Sequence, residues 1–206
     1  RWREGRLESV TFWPGQEDVF VADTLMDREG TRWLATRYGG LVQVRRPRVT
    51  MFTTRDGLPH NNVFSIAPAA PDGLWIATGG GLAELRAGRF ELVTLPGFET
   101  SQAWQVVRED ASGDLWLGAN PAGIRWFTHP TNNPAAPAPP GARFVPGHFE
   151  RTPGDPNVFP IRGGSARTIY EDRAGRIWVG RLDGLFAASA GAKTVQLLAG
   201  NAAGRT

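Results

Sequence analysis

The residues that could do chemistry are few. His60, His129 and His148 are the only imidazoles in the chain, and no two of them have metal-ligand spacing. Adjacent carboxylate pairs such as Glu109-Asp110 and Glu171-Asp172 have the residue types of a general acid and base. Both pairs stand at the same place in a repeat, however, which points to a structural role. With no cysteine there is no thiolate nucleophile, thiolate metal site or disulfide framework. Neither a Gly-x-Ser-x-Gly elbow nor a phosphate-binding glycine loop occurs. What remains is a scatter of polar and aromatic side chains suited to binding a sugar or an anionic ligand: Arg37, Tyr38, His60, Asn61, Asn120, Arg181 and Asp183. Trp104 could stack on a ring, with packing as its competing role. No catalytic residue, metal ligand or cofactor site is expected.

These residues are positioned by internal repetition. Trp33, Trp75, Trp116 and Trp178 each sit in a short apolar run and are spaced by 42, 41 and 62 residues. Each run is followed by a Gly-rich turn and a Leu or Ile, as in Gly39-Gly40-Leu41, Gly80-Gly81-Leu82, Gly123-Ile124 and Gly184-Leu185. A period of about 40–45 residues is that of a four-stranded propeller blade. The long third interval adds Pro-rich stretches, Pro130 to Gly141 and Pro146 to Gly164, which read as loop insertions because proline cannot donate to a ladder. First strands are expected over Val19 to Leu25, Val63 to Ala67, Ala103 to Arg108 and Ala166 to Tyr170. No segment sustains helical periodicity over three turns.

The expected fold is all-β: a β-propeller segment of about four four-stranded blades spanning 1–206. It comprises a blade remnant at 1–14, blades near 15–55, 56–97, 98–160 and 161–206, and insertions at 129–142 and 146–164. The remnant follows from a match between Arg3 to Val10 and Arg86 to Val93, two periods apart. The repeated tryptophans should pack between blades, and Asp110 and Asp172 should cap turns. Antiparallel order places Arg37-Tyr38, Gly79-Gly80, Asn120-Pro121 and Leu182-Asp183 on one face with the links 56–62 and 98–102. An array cut open exposes an apolar blade face, from which marginal stability or aggregation is expected.

Composition agrees with a globular domain: 41% hydrophobic residues, 21% charged, and 26 Gly with 16 Pro. The 23 basic residues against 20 acidic ones are dispersed, so no nucleic acid is expected as a partner of this region. No apolar stretch approaches the length needed to span a bilayer, so any targeting or membrane segment is expected outside these 206 residues.

One segment is more specific. Phe52 to Ile66, with Gly57-Leu58-Pro59 before an inner strand, continues into Asp72-Gly73-Leu74-Trp75-Ile76-Ala77-Thr78 and Gly80-Gly81-Leu82. It resembles the two-component regulator propeller repeat, and Ile169 to Leu185 is a second close copy. Only the second blade carries the full Gly-Leu-Pro, and it reads as one residue shorter between turn and Trp. The resemblance implies a larger, seven-bladed type of propeller serving as the periplasmic, ligand-sensing region of an inner-membrane histidine kinase or diguanylate cyclase. It implies a small-molecule ligand such as a carbohydrate, a homodimer in the full receptor, and an output domain beyond Thr206. The alternatives are a lyase resembling the virginiamycin-inactivating type, or a protein-interaction scaffold.

Overall fold

Every blade begins with a strand that neighbours the axis and ends with one at the rim. The computed structural model describes residues 2–3, 6–7, 20–45, 48–98, 102–119, 123–131, 143–146, 165–182, 184–188 and 195–200. A short hairpin, β1 (Trp2–Arg3) and β2 (Arg6–Leu7), comes first. The first sheet is β3 (Phe20–Met26), β4 (Arg32–Arg37), β5 (Gly40–Arg45) and β6 (Arg48–Phe52). The second is β7 (Val63–Ala69), β8 (Gly73–Thr78), β9 (Gly81–Arg86) and β10 (Arg89–Val93). The third holds β11 (Val106–Glu109), β12 (Leu115–Ala119), β13 (Gly123–Thr128) and β14 (Val145–Pro146). β15 (Ala166–Glu171), β16 (Ile177–Arg181), β17 (Gly184–Ala188) and β18 (Val195–Gly200) form the fourth. Each is a four-stranded antiparallel meander, and the inner strands β3, β7, β11 and β15 succeed one another around one axis. The described residues form four blades of a β-propeller. In β1–β2 Arg3 pairs with Arg6 as Arg86 pairs with Arg89 in β9–β10, so this hairpin repeats the outer half of a blade in register.

Alternation along each strand divides its side chains between two neighbours. Trp33 packs with Leu74, Ile76 and Leu85 of the second blade, while Trp75 packs with Leu115, Leu117 and Phe127 of the third. Trp116 packs with Ile177, Val179 and Phe186 of the fourth. These three indoles are buried. Trp178 is half-buried, and Tyr170 and Leu185 beside it on that blade are exposed. Two residues after each Trp stands Ala35, Ala77, Gly118 or Gly180. A Cβ on Gly118 would come within 2.7 Å of the Ala166 Cβ of the next blade, so small size there sets the blade separation.

The turns between first and second strands repeat one device. Asp27, Asp110 and Asp172 each accept the backbone N–H two and four residues on, then the indole N–H six residues on. One carboxylate thus ties its turn to the tryptophan that packs the interface. The second blade differs. Trp75 and Phe64 keep the 11-residue separation that Trp33 and Ala22 have, so nothing is deleted. Instead β7 and β8 gain a pair, Ala69 with Gly73, and the turn tightens. With Ala69 where the others have Asp, the Trp75 indole donates to Glu109 of the third blade, 2.5 Å away.

The Gly57-Leu58-Pro59 link closes the first blade onto the second. Gly57 ends the 3-10 turn Thr54–Asp56 at φ 99°, and Leu58 is buried with Ile66 and Ile76. No helix among the described residues is long and apolar enough to cross a membrane.

Candidate functional site

A β-bulge sets two residues against one and re-aims a side chain. Three of the inner strands have one, and in the third blade the same geometry stands just ahead of β11. Register shifts fall between Val21 and Asp23, Val63 and Ser65, and Ala166 and Thr168. In the third blade Gln105 donates to the Gly118 carbonyl at 2.7 Å while Val106 also pairs with Gly118. The bulge residues are therefore Ala22, Phe64, Gln105 and Arg167, each 11 positions before its blade's tryptophan.

All four line one axial cavity of about 370 Å³, together with Asp23, Ser65, Arg108 and Thr168. That volume lies within the range of small-molecule pockets. The cavity's polar groups are unevenly committed. Asp23 accepts from the Thr24 and Ile66 amides at 2.8 and 3.0 Å, one bond to each oxygen. The Gln105 Oε1 accepts from the Ser165 hydroxyl at 2.6 Å, so its amide nitrogen is left to donate. Arg108 lies 3.6 Å from Glu171 through one terminal nitrogen, and its buried Nε has no partner. Arg167 is exposed and forms no ion pair among the described residues. The cavity therefore presents spare donors on Arg108, Arg167 and Gln105, and its carboxylate is already engaged.

Of the residues expected to bind, Arg37 lies nearest this arrangement. Its guanidinium sits over Phe20 at 5.1 Å and over the bulge residue Phe64 at 5.9 Å. Tyr38 is exposed, in a left-handed conformation with φ 70°. His60 and Asn61 hold the loop face together. The His60 Nδ1 accepts from the Asn62 amide at 2.9 Å, and a Cβ on Gly79 would lie 3.1 Å from that nitrogen. The Asn61 side chain accepts from the Thr54 amide, and its carbonyl accepts from Gly40 in the preceding blade. Trp104 is 2% exposed, packed between Phe98 and Phe127, and belongs to the core. Arg181 pairs through its backbone with Ala166 and Gly184, with its guanidinium over Phe186. Asn120 and Asp183 lie outside the described residues. Sequence reading passed over the four bulge residues and Arg108; counting back 11 positions from each tryptophan would have found the bulges.

The paired carboxylates are spent on structure. Glu109 accepts from the Ala70 amide and Glu171 from the Ala111 amide, each reaching into the preceding blade. Bonds from Trp33, Thr31 and Glu29 outweigh the opposing effect of burial at Asp27 and hold it below the usual aspartate range. The Trp178 indole and the Arg176 amide hold Asp172 far lower. Burial pushes Asp110 up, aided by the neighbouring Asp114. A wider groove of about 780 Å³ lies between the turns of the first two blades; of its five carboxylates Asp27, Glu109 and Asp110 are these engaged ones, and Asp72 pairs with Arg86. Among the described residues no group of His, Asp or Glu could hold a metal ion.

The model of the two component regulator propeller matches residues 57–80 and 160–180. Those two segments are similar to that repeat. Among solved structures, these blades are similar to the extracellular domain assigned to the hybrid two-component system BT3049 of B. thetaiotaomicron. Identity is 19% and the TM-score 0.66, over 94% of this chain and 25% of that one. They are similar too to virginiamycin B lyase of Staphylococcus aureus, at 10% identity and TM-score 0.61, over 88% of this chain and 56% of that one. PorZ, a surface component of the type-IX secretion system of Porphyromonas gingivalis, matches at 15% identity and TM-score 0.60, over the whole chain and 30% of its own. Likeness at these identities establishes shared architecture, and function must come from the site. The chain spans about a fifth of the first two structures it resembles. No curated protein sequence matches it.

Proposed function

We propose that these regulator-propeller blades form the ligand-sensing part of the extracytoplasmic region of a two-component receptor, with the ligand seated in the axial cavity. The observation that carries the reading is the ring of bulges. A repeated backbone feature delivers four different side chains, Ala22, Phe64, Gln105 and Arg167, to one cavity. A ligand there contacts all four blades at once. Any difference in its affinity between two blade arrangements then biases the receptor between its states. The region has no catalytic part in this scheme, since its paired carboxylates are committed to turns and indoles. The likeness to extracellular domains of two-component systems supports a periplasmic position in an inner-membrane receptor. The output domain is a histidine kinase or a diguanylate cyclase, and the full receptor is a homodimer.

The test uses the full-length receptor with a transcriptional reporter of its output and a panel of small sugars and organic acids. A responding ligand is expected to lose its effect in Q105A and F64S, while both variants keep the thermal melt of the parent. A receptor whose response survives both substitutions would place sensing elsewhere. One that turns over the added compound would be an enzyme.

A further inference from the structure

The unequal commitment of polar groups on the axis carries a statement about the ligand. On adjacent inner strands stand Arg108, whose buried Nε is without a partner, and Arg167, exposed and outside any described ion pair. Between the two blades Gln105 is oriented by Ser165, which donates to its oxygen at 2.6 Å and leaves the amide nitrogen as the free end. Asp23, the cavity's carboxylate, holds one amide on each oxygen, Thr24 and Ile66, which leaves it one further acceptor site on each. A group entering here meets cationic and amide donors from the third and fourth blades, and on the first a carboxylate already bonded once at each oxygen. Phe64 supplies an aromatic wall from the second.

Two guanidiniums and an amide nitrogen lining one cavity with an aromatic ring suit a carboxylate attached to a small ring. Guanidinium donors take planar anions through paired bonds, and a carboxylate supplies several acceptor sites. A neutral polyol would leave the buried Arg108 Nε competing for weaker acceptors and would gain nothing from Arg167. The 370 Å³ volume admits a molecule of monosaccharide size and excludes a folded partner.

We infer that the axial cavity is an anion-selective site for a ring-bearing carboxylate of monosaccharide size, with Arg167 as the residue that sets charge preference. This rests on the axial cavity being the sensing site, and it adds the charge and size of what is sensed.

The experiment is calorimetric titration of the full-length receptor in detergent with D-galacturonate and with D-galactose, a pair differing at the carboxylate. R167Q and F64S are titrated alongside. Arg167 makes no described ion pair, so its replacement is expected to leave the thermal melt unchanged. Galacturonate is expected to bind at least tenfold more tightly than galactose, to weaken as salt rises, and to lose at least tenfold in R167Q. Equal affinity for the two sugars, or galacturonate binding unaltered in R167Q, would overturn the anion preference. If F64S still weakened that binding, axial sensing would stand. Absence of binding by either sugar up to roughly 10 mM, where affinity is already marginal, would overturn the inference. The reporter panel would then decide separately whether the cavity senses anything.

Discussion

Glu84 should carry a pH-dependent share of the contact between the second and third blades. It is 3% exposed, faces the third blade from β9, and accepts bonds from two guanidiniums. Arg86 reaches it from the same strand at 2.8 Å through Nε. Arg143, from the third blade, reaches it through both terminal nitrogens while lying 4.8 Å over the Trp75 ring. A bond to a charged group is worth about 1.5–3 kcal/mol, but Arg86 and Arg143 are 34% and 45% exposed, so water recovers much of that when the carboxylate goes. Replacing Glu84 by Gln removes the charge and turns an NH2 toward donors. We expect a loss of about 2 kcal/mol at pH 7, or roughly 4–8 °C in Tm for a chain of this size. Burial alone would push the Glu84 carboxyl up, yet the bonds from Arg143 and Arg86 outweigh it and hold the group below its ordinary value. A depressed carboxylate stabilises the fold fully above its unfolded pKa, about 4.3. That contribution disappears as pH falls through the lower folded value. The Tm gap between the parent and E84Q should therefore be constant from pH 7 to 5 and close progressively below about pH 4. Other carboxylates titrate alike in both proteins and cancel in the difference. Thermal melts across this range, with R143M completing a double-mutant cycle, provide the assay. A gap that persists undiminished to pH 3, or a coupling energy near zero with R143M, would refute the argument.

Two further outcomes follow from the packing. Trp116→Ala should cost about 3–5 kcal/mol, because that indole is buried against the fourth blade. Trp178→Ala should cost well under half as much, and chemical denaturation of the two variants gives the comparison. Ala87 occupies φ 48° before Gly88 at φ 76° in the β9–β10 hairpin, a turn that favours Asn-Gly, so Ala87→Asn should raise stability by about 0.5–1 kcal/mol in the same assay.

The blades were legible because their signals are local and recur. A tryptophan between aliphatics, a glycine turn and an aspartate six residues upstream each state one strand or turn without reference to the rest of the chain. The errors lie where a distant residue intervened. The second blade looked shortened because its glycine stands one place closer to Trp75. The structure instead tightens the turn and draws the indole's acceptor from Glu109, 34 residues on. Trp104 read as part of an inner strand, but β11 begins at Val106. The link before it is buried between Phe98 and Phe127, a site that exists only once the second and third blades have met.

The candidate site was hidden for a different reason. Packing positions announce themselves by sameness: Ala35, Ala77, Gly118 and Gly180 are all small, Gly118 because the next blade's Ala166 lies against it and Gly180 because Thr168 of its own inner strand does. The bulge positions share no chemistry at all, since Ala22, Phe64, Gln105 and Arg167 face a cavity rather than a neighbouring sheet. A search for repeated residues discards them for that reason. The same backbone irregularity recurs in every blade while the side chain it presents is free to differ. In this propeller, therefore, the residues that hold blades together and those that can recognise a ligand separate by their variance across the repeat. The positions to substitute when seeking altered ligand preference are those 11 before each tryptophan.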